Sequence, residues 1–214
     1  MATYEELQEL VITGDKEKVP GVVNSLLGNN NDPMEIIQKG LIGGMDVVGV
    51  KFKAGDMFIP EVMASAHALK AGMAILKPLI VGDDASTSFF IGKYVIGTVE
   101  GDIHSIGKSI VAMLLEASGF QVIDLGVDVS IAKFLETIKQ EKPDVVGMSA
   151  LLTPTVPRMR DVVEALKEAG IRDTVKIMVG GAPVNQDIAD SLGADCYAPE
   201  AQSAVEKARA LIGK

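Results

Sequence analysis

Cysteine is almost absent from this chain of 214 residues: Cys196 is the only one, which rules out an internal disulfide and suits a reducing compartment. Tryptophan is missing and aromatic residues make up only 4%, so the stacking platforms of single-strand nucleic-acid binders are lacking. Positive charge is also short. The formal net charge of -9 disfavours sequence-independent binding to nucleic acid or to an anionic membrane surface. No apolar run approaches the roughly 18 uncharged residues of a membrane span. The acidic opening, Met1 to Leu10, lacks the basic flank and apolar centre of a secretory signal. These absences together lead us to expect a cytoplasmic protein with no nucleic-acid or membrane partner.

What is present falls into two halves with different periods. Up to about residue 81 the apolar spacing is helical. Tyr4 to Val11 and Asp15 to Leu27 form two amphipathic segments. Asp32-Pro33 places an N-cap and a first-turn proline before a third helix, from Met34 to about Phe52. Pro60-Glu61 opens a fourth that runs to about Leu76 and stops near Pro78. Four antiparallel helices are the simplest fold for this half. Residues 82–92 are small and polar, then apolar, and read as a linker in which Gly82, Ala85 and Ser86 are candidate hinge positions.

From residue 93 to 214 short β-branched runs alternate with helical segments. The expected strands are Tyr94–Val99, Gln121–Asp124, Val145–Met148, Val175–Val179 and Ala194–Tyr197. The expected helices are Ile106–Ser118, Ser130–Gln140, Val156–Glu168, Gln186–Leu192 and Ala201–Ile212. Right-handed crossovers fold such a series into a flavodoxin-like, five-stranded parallel sheet with helices on both faces. Ligands of these sheets sit beyond the carboxyl ends of the strands, which directs attention to the loops after strands one, three and four.

The first of those loops reads Glu100-Gly101-Asp102-Ile103-His104-Ser105-Ile106-Gly107-Lys108-Ser109. Gly101 and Gly107 bracket it and allow a sharp turn or the close approach of a ligand. Asp102 lies two residues before His104, so in an extended loop the two side chains point the same way. A carboxylate that fixes one imidazole nitrogen strengthens the other as a metal ligand. A phosphate loop does not fit, because five residues rather than four separate the glycines and Asp102 would repel phosphate. Two readings remain on these residues alone. His104 either caps or packs at a helix start, or it ligates a metal that arrives already held in a macrocycle, since one histidine cannot build a zinc site.

Asp102-x-His104-x-x-Gly107 resembles the signature of the cobalamin-binding fold shared by methionine synthase, the B12-dependent mutases and small corrinoid proteins. Two further segments strengthen the likeness. Ser149-Ala150-Leu151-Leu152-Thr153-Pro154-Thr155 follows strand three, and Gly180-Gly181 follows strand four. The helical half, with Gly40 to Gly49, Phe52 and Gly55 to Val62, is similar to the four-helix cap of methionine synthase and of the stand-alone corrinoid proteins of methyltransferase systems. Those systems act on methylamines, quaternary amines, methanol or methoxyaromatics. The resemblance runs from about residue 5 to 212.

It implies a cobalamin or related corrinoid with His104 as the lower ligand of cobalt, oriented by Asp102, with Thr155 extending the relay. It also implies that the freed nucleotide tail is threaded into a slot lined by Ser149, Leu151, Thr153, Gly180 and Gly181, where missing side chains leave room. Gly101, Ile103, Ser105 and Gly107 would surround the ligand, and Tyr197 and Ala201 would meet the nucleotide end. Met45, Phe58 and Val62 are candidates for an apolar lid over the upper face. In family terms the chain is a methyl carrier, alternating between methylcobalamin and nucleophilic cobalt(I). Its implied partners are a substrate-specific methyltransferase, a second methyltransferase acting on a thiol or tetrahydrofolate, and a reductive activator. No nucleophile–base pair or zinc cluster suggests independent catalysis. A cobalamin-dependent sensor and a flavodoxin-like module for some other ligand are the alternatives.

Overall fold

A computed structural model describes residues 2–80 and 90–213, the side chain of Lys53 excepted. These residues form two compact units, one made of the residues up to Phe90 together with Glu116–Gly119, the other of Ile91–Leu115 and the residues from Phe120 onward. The hinge positions Gly82, Ala85 and Ser86, and the linker as far as residue 89, lie outside the described residues.

The first unit contains α1 (Tyr4–Ile12), α2 (Val19–Gly28), α3 (Pro33–Glu35), α4 (Gly43–Ala54) and α5 (Ile59–Leu76). Thr3 caps α1 by accepting the Glu6 amide at 3.2 Å. At the start of α5 the Glu61 carboxylate accepts the Phe58 N–H at 2.7 Å, so both helix starts satisfy a donor that the helix itself cannot. Two expectations need correction. Asp15 to Lys18 are not helical; Asp15 accepts the Lys18 amide there, and α2 begins only at Val19. The helix expected from Met34 to Phe52 is interrupted by a π-helical stretch, Ile36–Ile42, between α3 and α4.

The π stretch follows from how closely α1 approaches. A Cβ at Gly40 would lie 2.5 Å from Leu7 Cδ2, one at Gly43 2.8 Å from Gln8 Nε2, and one at Gly44 2.9 Å from Val11 Cβ. Gln8 donates from Nε2 to the Lys39 carbonyl at 2.6 Å. A wide helical turn misaligns its carbonyls with the α ladder, and here a neighbouring side chain takes one of them. Gly40→Ala would gain up to about 1 kcal/mol of helix propensity, whereas overpacking a close-packed contact costs about 1–3 kcal/mol. We therefore expect net destabilisation in denaturant. A double-mutant cycle with Leu7→Ala should show coupling above roughly 0.5 kcal/mol; strict additivity would refute the contact.

The second unit is built on five strands: β1 (Gly92–Thr98), β2 (Phe120–Asp124), β3 (Val145–Ser149), β4 (Lys176–Gly180) and β5 (Cys196–Tyr197). All pair in parallel, in the order β2-β1-β3-β4-β5. This is the flavodoxin-like topology, with its switch point between β1 and β3. The helices are α6 (Ile106–Ala117), α7 (Ile131–Glu141), α8 (Val156–Glu168), α9 (Gln186–Leu192) and α10 (Ala201–Leu211). β5 is two residues long, half the expected length, and β1 opens at Gly92, at the end of the expected linker.

The sheet is apolar on both faces, as a sheet covered by helices must be. On one side Val95, Val146, Ile177 and Val179 pack with Phe134, Met159, Val162 and Leu166 of α7 and α8. On the other Tyr94, Ile96, Val145 and Met178 pack with Leu115 of α6 and Ala204 and Ala208 of α10. Register places Thr98, Ser149 and Gly180 side by side across the ends of three strands. With strand faces alternating every residue, this row of small residues continues the α6/α10 face. Among the described residues no helix is long and apolar enough to cross a membrane.

Candidate functional site

The loop between β1 and α6 leaves the sheet at the switch point. Gly101 turns it with φ of 81°, and Asp102 then projects into the sheet end, where it is fully buried. Five donors converge on this one carboxylate. Oδ1 accepts the His104 amide at 3.1 Å and His104 Nδ1 at 2.7 Å. Oδ2 accepts the amides of Leu151 at 2.7 Å and Leu152 at 3.1 Å, and the Thr155 hydroxyl at 3.0 Å. Burial pushes the carboxyl pKa up, but the hydrogen bonds from His104, Leu151 and Leu152 outweigh it and hold Asp102 well below the usual carboxylate range.

That charge state decides the imidazole. An ionised carboxylate only accepts hydrogen bonds, so Nδ1 of His104 carries the proton and Nε2 is left with its lone pair. The His104 side chain is 45% exposed. The ring therefore faces Asp102 instead of capping α6, while its carbonyl is held by the Thr98 hydroxyl at 2.9 Å. The Thr155 hydroxyl also lies 2.8 Å from the Leu152 carbonyl. It has one proton for two acceptors, and the charged one is the stronger.

Around this histidine, at the same end of the sheet, the loops carry unusual apolar exposure. Ile103 is 74% and Ile106 79% exposed, and Val127, Leu151 and Leu152 are exposed as well. Ser105, Gly107 and Thr153 are also on the surface. Large apolar side chains gathered at one exposed place mark a binding surface. No group of three or more His, Cys, Asp or Glu able to hold a metal occurs among the described residues. One available imidazole nitrogen among exposed aliphatics fits a metal enclosed in a broad apolar ring, and it does not fit a bare ion.

The other expected residues are distributed as follows. Ser149 is half-buried in the small row at the strand ends, as is Gly180. The space at Gly181 is taken by the chain itself: a Cβ there would sit 1.8 Å from the Ala150 carbonyl oxygen, with φ of 126°. Its missing side chain thus serves backbone packing between the ends of β3 and β4. Tyr197 lies in β5 with its carbonyl accepting Lys207 Nζ at 2.6 Å, and Ala201 is the first residue of α10. In the helical unit Met45 and Val62 are buried, whereas Phe58 is 69% exposed.

Sequence reading missed several contributors. Thr98, Ile106 and Leu152 carry no motif that separates them from ordinary strand, helix and loop residues. Asp128 receives the Gly101 amide from 27 positions away, a contact that only the fold creates. Lys108, which follows Gly107 in the segment rejected above as a phosphate loop, is buried and paired with Asp124 at the end of β2.

Comparison with known proteins agrees with this site. A family model described as a B12 binding domain matches residues 92–209, and a second of the same description matches residues 3–77. The chain is 50% identical over 215 residues to dimethylamine corrinoid protein 1 of Methanosarcina acetivorans, covering 99% of this chain and 100% of that one. It is 46% identical over 216 residues to trimethylamine corrinoid protein 1 of the same organism, with 99% and 100% covered. Among solved structures, it matches the methanol:cobalamin methyltransferase complex of Methanosarcina barkeri with a TM-score of 0.88 and 33% identity, over 97% of this chain and 78% of that one. Both halves of the sequence thus lead to one conclusion: the chain belongs to the family of B12-binding corrinoid proteins, and its ligand is a cobalamin-type corrinoid.

Proposed function

We propose that this protein is the methyl-carrying subunit of a methylamine methyltransferase system and that His104 supplies the lower ligand to cobalt through Nε2. When bound, a corrinoid supplies a cobalt centre that can accept a methyl group and give it up again. The single observation that carries the reading is the His104–Asp102 pair: one ring nitrogen is fixed at 2.7 Å on a buried carboxylate, and the other is free on an exposed ring. A histidine held in this way is fixed in one tautomer and one ring orientation.

Asp102 orients the ring and stabilises positive charge on it, while Thr155 and the amides of Leu151 and Leu152 keep Asp102 ionised. A cationic ring would find its counter-charge in the same carboxylate. Ile103, Ile106, Leu151 and Leu152 exclude water beneath a broad apolar ligand. Ser149 and Gly180, small and adjacent at the ends of β3 and β4, suit a narrow extension of that ligand passing into the α6/α10 face.

A methylamine as the methyl source rests on the names of the two Methanosarcina relatives, and a methyltransferase partner rests on the solved methanol:cobalamin complex. A second methyltransferase acting on a thiol or tetrahydrofolate, and a reductive activator, complete the scheme. The first test is reconstitution. After mixing with hydroxocobalamin and desalting, the protein should keep the cofactor and show a His-ligated visible spectrum; a colourless product refutes the proposal. His104→Ala should retain part of the cofactor and lose the His-ligated spectrum, with a fall of at least about tenfold in affinity, the size of effect that follows the loss of even a residue that orients a metal ligand. An unchanged spectrum removes His104 from this role.

A further inference from the structure

The loop that carries His104 is fastened at both ends to one short segment that runs from Asp124, the last residue of β2, to Asp128, and that segment contains a non-glycine residue in the left-handed region. At its start, the Gly101 amide donates to Asp128 Oδ1 at 2.7 Å, and the Asp128 amide donates to the Asp102 carbonyl at 2.9 Å. At its end, Lys108, in the first turn of α6, is buried and paired with Asp124. The Asp124 carboxylate also accepts the Gly126 amide at 2.8 Å. Between the two, the Gly126 carbonyl accepts the Thr98 amide at 3.0 Å, and Thr98 holds the His104 carbonyl. Asp128 keeps φ at 53°. Such a conformation is uncommon outside glycine, and aspartate and asparagine tolerate it best.

From this we infer that Asp128 is a positioning residue for His104. The exchange of hydrogen bonds between Asp128 and the Gly101–Asp102 backbone fixes where the Asp102 carboxylate enters the sheet end, and so fixes the ring resting on it. Ligand geometry must hold to about 0.5 Å to be productive, and Lys108 with Asp124 anchors the far end of the loop against the same segment. The inference rests on the proposal that His104 is the metal ligand.

Two variants separate the carboxylate from the backbone conformation. Asp128→Gly permits the left-handed φ but removes the acceptor for Gly101. Asp128→Asn keeps both, because its amide oxygen accepts the same N–H. Full-length protein uniformly labelled with 15N is reconstituted with hydroxocobalamin and desalted, and total bound cobalt is measured. The cobalt is then reduced by one electron, and its electron paramagnetic resonance spectrum is recorded; 15N splitting reports a ligand from the protein. For Asp128→Gly we expect cobalt to remain bound and the ratio of His-ligated to other cobalt to fall about tenfold, with Asp128→Asn close to the unaltered protein. A purely structural role for Asp128 would lower bound cobalt without moving this ratio. An unchanged ratio in Asp128→Gly overturns the inference, as does an equal fall in both variants.

A readout without corrinoid keeps the two claims apart. In the cofactor-free protein the Nδ1 proton of His104, held by Asp102, should give a low-field proton resonance. That resonance should survive in Asp128→Asn and vanish in Asp128→Gly. Failure of the unaltered protein to show 15N splitting would refute His104 as ligand, and the low-field resonance would still decide the positioning role. Its persistence in Asp128→Gly overturns that role.

Discussion

Gly181→Ala is expected to destabilise the sheet-containing unit by roughly 3 kcal/mol or more, the range of an overpacked site with incompatible backbone. The added Cβ would meet the Ala150 carbonyl oxygen at 1.8 Å and its carbon at 2.8 Å. Both are backbone atoms and cannot swing aside like the end of a side chain. The φ of 126° adds strain that no rotamer relieves. Relief requires β3 and β4 to part at their carboxyl ends, where the Ala150 amide donates to the Gly180 carbonyl at 3.2 Å. Ala150 immediately precedes Leu151, whose amide holds Asp102, so the damage should reach His104 through the main chain. Thermal unfolding should show a drop of roughly 6–12 °C together with loss of corrinoid binding. A variant that melts within 2 °C of the unaltered protein, on this scale less than about 1 kcal/mol, would show that the strand ends are looser than this packing allows.

Asp102→Ala is the second large effect. It strands the amides of His104, Leu151 and Leu152 without an acceptor, and each buried unsatisfied group costs about 1–3 kcal/mol. We expect a loss of roughly 3–5 kcal/mol in denaturant unfolding, together with a His104 ring free to rotate. Asp102→Asn should fall between the two, because its amide group can accept on only one side. The pH dependence has a definite sign. Since the folded carboxyl titrates below its unfolded value, its contribution is fully present above about pH 4, the ordinary aspartate range. It is lost as pH falls from there through the folded value. The gap between the unaltered protein and Asp102→Asn should therefore narrow only below about pH 4. A gap that stays constant to pH 2 would mean that Asp102 is not held ionised by its donors.

Much of this was legible in the amino-acid order, for reasons that differ between elements. β1, β3 and β4 centre on buried, largely apolar runs between turn signals, and such runs announce themselves. The His104 loop is compact enough that Asp102 and His104 meet through local geometry. The interruption at Ile36–Ile42 was not legible, because its cause is in α1: glycines at 40, 43 and 44 read as helix-weakening until Leu7, Gln8 and Val11 occupy their space. The start of α2 was not legible because Asp15 to Lys18 adjoin the amphipathic spacing, yet Asp15 accepts the Lys18 amide in a turn before the helix. At Gly181 the order alone does not show the Ala150 contact, since a glycine looks the same whether a ligand or a carbonyl needs the room. Asp128 was invisible because its partner lies on another strand's loop.

One arrangement has a bearing on how proteins with this site can diverge. Leu151 and Leu152 do two things with different atoms: their amides anchor Asp102, and their side chains face outward at the surface. Any amino acid except proline provides the amide. Mutation can therefore resculpt the exposed surface at these two positions while the grip on the histidine's carboxylate is inherited unchanged.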